Sequence, residues 1–137
     1  LTHSRGNSKT MDSLTNYENV TRDVKKELSN QIELALSVGI KNEQIIIDPG
    51  IGFAKNVDQN LSLIREIEQF VSMNYPVLIG PSRKRFIGSV INESDPTKRI
   101  FGTAAVAARC VIAGIDYLRV HDIKQIYQVI KMTKSII

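Results

Sequence analysis

The chain has 137 residues, of which 42% are hydrophobic and 23% are charged, a balance suited to one folded domain and not to a disordered chain. Its net charge of +4 is mild, and no apolar run approaches the length of a membrane span. The lone cysteine, Cys110, excludes an internal disulfide framework and metal sites built from cysteine pairs. We therefore expect a reducing compartment: the cytoplasm, or an organelle if the source is a eukaryote.

Strand and helix patterns alternate in the first half of the chain. Residues 1–3 resemble the end of a strand, and since no methionine or signal-peptide layout precedes them, we expect a fragment whose upstream part is absent. Apolar residues recur every three or four positions over residues 20–38, which predicts an amphipathic helix that Gly39 ends in a left-handed conformation. Residues 44–48 predict a strand that is apolar on both faces, and residues 57–71 repeat the helical spacing.

The second half continues this alternation. Residues 76–80 predict a strand, whereas residues 82–99 show no clean period and include a predicted mobile loop at residues 92–96. Residues 103–113 are small and apolar nearly all round, which predicts a buried helix that Gly114 ends. Residues 117–121 predict a strand. Asp122 and Gln125 then resemble a capping box at the start of the last helix.

Charged residues follow the strands at three places. Asp48 ends one apolar run, Arg119 and His121 lie two apart at the last one, and a basic cluster follows the strand between them at residues 83–85. Helical crossovers between strands predict a parallel α/β sheet, either doubly wound or closed as a TIM barrel. Because functional residues of barrels lie at the carboxyl ends of the strands, we favour the barrel. A full barrel needs about 250 residues, so this chain would be its second half, from the end of strand five to helix eight.

Four segments, taken together, resemble dihydropteroate synthase. They are residues 48–55 (DPGIGFAK), 80–88 (GPSRKRFIG), 102–105 (GTAA) and 119–122 (RVHD), and the opening residues 3–7 (HSRGN) are also similar. The motifs keep the family's order and separations, and the resemblance covers essentially the whole chain. It implies that residues 1–137 are the C-terminal part of a single pterin-binding barrel domain.

The resemblance also implies an activity and its partners. The family condenses 6-hydroxymethyl-7,8-dihydropterin pyrophosphate with 4-aminobenzoate, giving 7,8-dihydropteroate and pyrophosphate in folate biosynthesis, and sulfonamides compete with aminobenzoate. Mg²⁺ would assist the pyrophosphate, with its ligands expected in the absent N-terminal half and none in this chain. We expect no nucleic-acid or membrane partner, a homodimer as the assembly to test, and no turnover by the fragment alone.

Site residues can be assigned by the same resemblance. Asp48, Phe53, Gly80 and Lys84 would bind the pterin, with Asp48 accepting two parallel N–H bonds. Phe53, Lys84 and Arg85 would contact aminobenzoate, although some family members have serine at Arg85. Arg119 and His121 would hold the pyrophosphate, and with Lys84 they would serve the chemical step. Arg83 is interpreted as a structural ion-pair partner and His3 as structural, while Thr2 stands where many members have methionine.

Three alternatives stay open on the sequence. A related pterin-binding barrel that transfers a methyl group to a corrinoid would share Asp48, but it has no use for the Arg119 and His121 pair. A truncated, inactive chain that folds against a partner would keep all of these residues. Nucleic-acid binding through residues 83–85 has poor support, because one short basic run lacks interleaved aromatic residues.

Overall fold

The computed structural model describes all 137 residues as helices packed on a small parallel sheet. The helices are α1 (Val20–Ser37), α2 (Val57–Arg65), α3 (Glu68–Val71), α4 (Arg85–Ile91), α5 (Ile100–Ile112) and α6 (Ile123–Ser135), and short 3-10 turns lie at Met11–Ser13, Asn42–Gln44 and Pro96–Lys98. Two strands, β1 (Leu78–Ile79) and β2 (Tyr117–Leu118), pair in parallel. No helix has both the length and the apolar character needed to cross a membrane.

Isolated parallel bridges extend the sheet beyond its two strands. Ile47 pairs with Val77 next to β1, and Thr2 pairs with Asp48 on the far side. Four parallel segments therefore lie side by side in the order in which they occur in the chain. A doubly wound sheet reverses its strand order at a switch point, and this run has no such reversal. Because the segments are parallel, their carboxyl ends all lie at one edge of the sheet.

Helix α1 forms as its sequence predicts. The Asn19 side chain accepts the backbone N–H of Arg22 at 2.9 Å and caps the first turn. Gly39 follows the helix with φ of +92°, the left-handed conformation that glycine tolerates best. The apolar face of α1 lies in a cluster of 17 buried residues that also includes Ile47, Val77 and Phe70. This cluster fixes the sheet against the helices on one side.

Several predictions of local structure need correction. Residues 57–71 form two helices, because α2 ends at Arg65 and α3 begins at Glu68. Residues 82–99, which lack a clear period, contain helix α4. The predicted strand at residues 44–48 starts later, since Gln44 belongs to a 3-10 turn, and Ile46 is 38% exposed, so this segment is not covered on both faces.

Helix α5 is buried on one side only, so the prediction of a buried helix holds for one face and fails for the others. Thr103, Ala107 and Cys110 are fully buried at the spacing of one helical face. Phe101 on another side is 85% exposed, and Ile112 is 58% exposed. The small residues allow close packing of α5 against its neighbours, but they do not require contact on every side. Gly114 follows the end of the helix, as predicted, and its φ is +80°.

Arg99 organises the segment predicted to be a mobile loop. Its buried guanidinium donates to the carbonyls of Glu93 at 3.0 Å and Ser94 at 2.6 Å, and to the carbonyl of Arg83 at 3.0 Å. No helix or strand spans residues 93–95, so these contacts hold the segment. The loop is thereby tied to the turn that follows β1.

Two glycines with positive φ provide a matched test of the fold. A Cβ at Gly50 (φ +70°) would overlap the carbonyl oxygen of His3, whereas a Cβ at Gly39 would meet nothing within 4 Å. Gly39→Ala should therefore cost only the left-handed strain, roughly 1–2 kcal/mol of unfolding free energy. Gly50→Ala adds a backbone clash and should cost roughly 3–5 kcal/mol. Urea unfolding of both variants measures this, and equal losses would contradict the close contact between residues 3 and 50.

Candidate active site

Asp48 lies at the beginning of a tight turn at the carboxyl edge of the sheet. Its Oδ1 accepts the backbone N–H of Gly50 at 2.8 Å, and the Thr2 hydroxyl donates to its Oδ2 over 3.4 Å. Gly52 and Ala54 further along the turn also have positive φ, so the chain folds back tightly here. Thr2, which also pairs with Asp48 in the sheet, thus contacts this carboxylate through its hydroxyl.

The electrostatic environment of Asp48 has opposing causes. Burial raises the pKa of Asp48 above its usual value, while the N–H of Gly50, the hydroxyl of Thr2 and the ammonium groups of Lys84 and Lys55 act to lower it. The carboxylate is thus partly stripped of water and incompletely compensated. Such a group gains strongly from N–H donors on a ligand.

Lys84 lies over Phe53. Its Nζ is 4.0 Å from the centroid of the Phe53 ring, a cation–π contact. Its stem passes so close to Gly52 that a Cβ on this residue would lie 2.9 Å from Lys84 Cδ. Burial is the main cause that lowers the pKa of Lys84, with contributions from Arg119 and Arg85, while Asp48 opposes them. The glycine therefore makes room for a lysine that is half-buried against an aromatic ring.

Two clefts meet at Lys84. The larger, of about 800 Å³, is lined by Phe53, Lys84 and Arg85, with the 3-10 turn Met11–Ser13 at its far side. The smaller, of about 630 Å³, is lined by Lys84 together with Gly80, Ser82, Arg119 and His121. The residues assigned to aminobenzoate thus border one cleft, and those assigned to pyrophosphate border the other. Asp48 borders neither cleft, but its charge acts on Lys84.

Ser82 orients His121. Its Oγ accepts the backbone N–H of His121 at 3.2 Å and lies 2.9 Å from the ring Nδ1. A hydroxyl that accepts from the backbone can donate its own proton to Nδ1, which leaves Nε2 as the N–H donor. Nε2 has no protein partner within hydrogen-bond distance. Ser82 was not assigned a role from the sequence, because its effect depends on the two strand ends meeting.

The three consecutive basic residues go in different directions. Arg83 forms a two-point ion pair with Asp122, with distances of 2.7 and 3.2 Å, so the prediction of a structural ion-pair partner is confirmed. Asp122 consequently makes no side-chain cap to α6, and the predicted capping box is wrong. Arg85 reaches Asp12 at 2.7 Å across the rim of the larger cleft. Only Lys84 turns towards both clefts.

A network of buried and partly buried polar side chains lies next to the Asp48 turn and was not predicted from the sequence. His3 and Lys55 are buried next to each other, with His3 Nδ1 3.1 Å from Lys55 Nζ. His3 Nε2 lies 2.9 Å from Glu27 Oε2, and Arg5 binds the same carboxylate. His3 is therefore structural in this geometry, as interpreted from the sequence. No local sequence pattern predicts a contact between residues 3 and 55. The one sequence signal for Lys55 is its position at the end of the motif at residues 48–55.

Asn60 on α2 also supports the turn. Its Oδ1 accepts the backbone N–H of Gly52 at 2.6 Å, and its Nδ2 donates to the carbonyls of Lys55 and Asn56. Asn60 is 2% exposed, so these bonds are shielded from water. The turn that presents Phe53 is held from below by Lys55 and from the side by Asn60.

Comparison with known proteins gives the family. The family model described as pterin binding enzyme matches residues 1–121. The chain belongs to the pterin binding enzyme family. The dihydropteroate synthase of Synechocystis sp. is 41% identical over 136 residues, which are 99% of this chain and 47% of that protein. The resemblance to dihydropteroate synthase is thereby confirmed.

Solved structures of family members superpose on the chain closely. The dihydropteroate synthase of Thermus thermophilus, solved in complex with 4-aminobenzoate, has a TM-score of 0.94 and 33% identity and covers 100% of this chain and 53% of its own. The enzyme from Yersinia pestis, solved with a sulfonamide drug, has a TM-score of 0.94 and 28% identity over 98% of this chain and 49% of its own. The chain thus spans about half the length of the family members that it matches.

The buried imidazole predicts an acid-sensitive fold. Burial, with the Lys55 ammonium, lowers the pKa of His3 from 6.5 to about 4, although Glu27 opposes them. Between these two values the unfolded chain binds more protons than the folded protein, so stability is present above pH 6.5 and is lost as the pH falls towards 4. The loss should reach roughly 3 kcal/mol.

Urea unfolding as a function of pH tests this contribution. His3→Gln should flatten the pH dependence between pH 6.5 and 4, because it removes the titrating group. His121→Gln is the matched control, since His121 is the other histidine of the chain and is exposed. This control should keep the loss of stability between pH 6.5 and 4, because His3 is still present. An unchanged slope in His3→Gln would assign the acid sensitivity to another group.

Proposed function

We propose that this chain provides half of the active site of a dihydropteroate synthase, which joins 6-hydroxymethyl-7,8-dihydropterin pyrophosphate to 4-aminobenzoate. The observation that carries the proposal is the placement of Lys84 between two clefts, one bordered by Phe53 and Arg85 and the other by Arg119 and His121. A reaction of two substrates that releases an anion needs such an arrangement of neighbouring sites.

We further propose that residues 1–137 form the second half of a TIM barrel, from the end of strand five to helix eight. The unbroken order of four parallel segments supports this, since barrel strands follow one another around the sheet. Exposed apolar residues on α1, directly after it and in or next to the sheet also support it, because the rest of a barrel would cover them. They include Leu34, Val38, Ile46 and Tyr117.

The pterin is assigned to the Asp48 end of the site. The half-buried Asp48 carboxylate can accept two parallel N–H bonds from an aminopyrimidine edge, a geometry that discriminates strongly. Lys84 can donate to the ring carbonyl while its stem covers the ring. Gly80 lies beside Arg119, and a Cβ there would be in ordinary van der Waals contact with Arg119 Nε, at 3.6 Å.

Aminobenzoate is assigned to the larger cleft. Phe53 supplies an aromatic wall beneath the Lys84 ammonium, and Arg85 at the rim supplies positive charge for a carboxylate. Arg85 is 73% exposed and is already paired with Asp12, so its attraction for a substrate is screened and shared. Sulfonamides, which the Yersinia pestis enzyme binds, are expected in the same cleft.

Pyrophosphate is assigned to the smaller cleft. Arg119 offers a planar fork of donors, and His121, oriented by Ser82, offers its Nε2–H. In the reaction the C–O bond between the pterin methylene and pyrophosphate breaks, and the aminobenzoate amine forms the new C–N bond and loses a proton. Arg119, His121 and Lys84 stabilise the departing anion, while the opposite cleft orients the amine.

The proposal includes Mg²⁺ only as an ion whose ligands lie in the N-terminal half of the barrel, outside these 137 residues. No group of three or more histidine, cysteine, aspartate or glutamate side chains converges in this chain to hold a metal ion. The residues present do not fit a metal site, so the roles above use none. A methyltransferase of the same family is the second candidate, because it would share Asp48; the Arg119 and His121 cleft favours the synthase.

Replacing Asp48 tests the pterin site. Asp48→Asn, made in the complete protein, should weaken pterin binding by roughly 2–4 kcal/mol, because a charge-assisted two-point contact loses its charge and one acceptor. Asp58→Asn on the exposed start of α2 is the matched control and should change nothing. Calorimetry with the pterin substrate measures both. An unchanged affinity in Asp48→Asn would make Asp48 structural.

The two clefts can be separated by a pair of variants in the complete protein. Arg119→Ala should weaken pyrophosphate binding by roughly 1.5–3 kcal/mol, the usual contribution of hydrogen bonds to a charged group, and should spare a pterin analogue that lacks phosphate. Lys84→Ala should show the opposite preference. Titration of each ligand against each variant gives the result. If Arg119→Ala lowers the affinity for both ligands equally, the assignment of Arg119 to a pyrophosphate site is wrong.

A further inference from the structure

Lys55 is a buried cation with every donor used. The residue is 9% exposed, and its Nζ donates to the carbonyls of Gly50 at 3.1 Å and Phe53 at 2.9 Å. The third neighbour is Nδ1 of His3 at 3.1 Å. An ammonium group can only donate, so Nδ1 must accept and the His3 proton lies on Nε2, facing Glu27. A buried lysine costs free energy, and these bonds offset that cost.

The carbonyls that Lys55 holds belong to the turn that builds the site. Gly50 donates its N–H to Asp48, and Phe53 carries the ring beneath Lys84. Lys55 also lies at the floor of the larger cleft. The turn has three residues with positive φ, Gly50, Gly52 and Ala54, so it needs outside support to keep one conformation. Lys55 is bonded to both ends of the segment between Gly50 and Phe53.

We propose that Lys55 is a positioning residue of the active site: its three hydrogen bonds fix the turn at residues 50–53, so that Asp48 and Phe53 face their ligands in one geometry. This inference rests on the proposed function. It assigns to Lys55 no contact with the reacting atoms. Its action passes through Asp48 and Phe53, and it does not extend to the Arg119 and His121 cleft.

The charge of Lys55 acts on Asp48 as well. The charged and titratable groups around it are His3 beside it, Glu27 and Arg5 beyond the imidazole, and Asp48 and Lys84 on the site side. Burial lowers the pKa of Lys55 to about 7, so it is still protonated at the acid pH at which Asp48 titrates. There its ammonium helps to hold down the pKa of Asp48. Removing this charge should raise that pKa.

The test compares Lys55→Met with Lys26→Met in the complete protein. Methionine keeps the length of the stem but has no donors, and Lys26 is an exposed lysine on α1 that serves as the matched control. Lys55→Met should weaken binding of both the pterin and 4-aminobenzoate about tenfold, as expected for the loss of buried hydrogen bonds. Pyrophosphate affinity should stay within about twofold, since the turn does not border that cleft. Lys26→Met should match the wild type for all three ligands.

A pH series adds a readout that a purely structural role would not move. In Lys55→Met, the pH at which pterin binding is lost on acidification should shift upward, because Asp48 is protonated more easily. If Lys55→Met folds too poorly for titration, Lys55→Gln replaces it, since the amide keeps a donor without the charge. The variant should then show a smaller loss for the same two ligands and the same upward shift.

The outcomes separate this inference from the proposed function. Suppose that the complete wild-type protein makes dihydropteroate. If Lys55→Met then weakens the binding of all three ligands equally, or of none, the positioning role of Lys55 is overturned and the proposed function stands. If the pH at which pterin binding is lost is the same in Lys55→Met and in the wild type, the effect of the Lys55 charge on Asp48 is overturned. A complete wild-type protein that binds neither the pterin nor aminobenzoate would instead overturn the proposed function, and this inference with it.

Discussion

Parallel pairing from Thr2 to Tyr117 is the constraint on which the rest of the structure depends. Because all four segments run the same way, each one delivers its following turn to the same edge of the sheet. Asp48, Lys84 and His121 are 73 residues apart at the extremes of this set, yet they border one region because of that pairing. Burial of Ile47, Val77 and Ile79 fixes the register, since a shift by one residue would turn these side chains out of the core.

Local sequence patterns predicted the structure correctly where a single helix face or a single glycine determines it. The spacing of apolar residues predicted α1, and Gly39 predicted its end. The predictions failed where partners distant in sequence decide. Arg83 takes the Asp122 carboxylate that would otherwise cap α6, and the small residues of α5 pack on one side although their composition suits burial on every side. The composition of a helix shows which faces could be buried, but tertiary contacts decide which faces are buried.

The same distinction applies to the candidate site. Sequence resemblance named Asp48, Phe53, Lys84, Arg119 and His121. All of these except Asp48 line one of the two adjoining clefts, and Lys84 lines both. The supporting residues could not be found this way. Ser82 matters because it meets His121 across two strands, and Lys55 matters because it meets His3. Each of these contacts joins residues at least 39 apart, beyond the reach of any local pattern.

The position of Lys84 between the clefts has a thermodynamic consequence. Under the proposed function, a ring bound in one cleft and an anion bound in the other would both contact this side chain. Their binding free energies are therefore not independent. By reciprocity, whatever factor one ligand applies to the affinity of the other is returned in equal measure. Whichever ligand binds first, its effect on the affinity of the second passes through the one side chain that both clefts share.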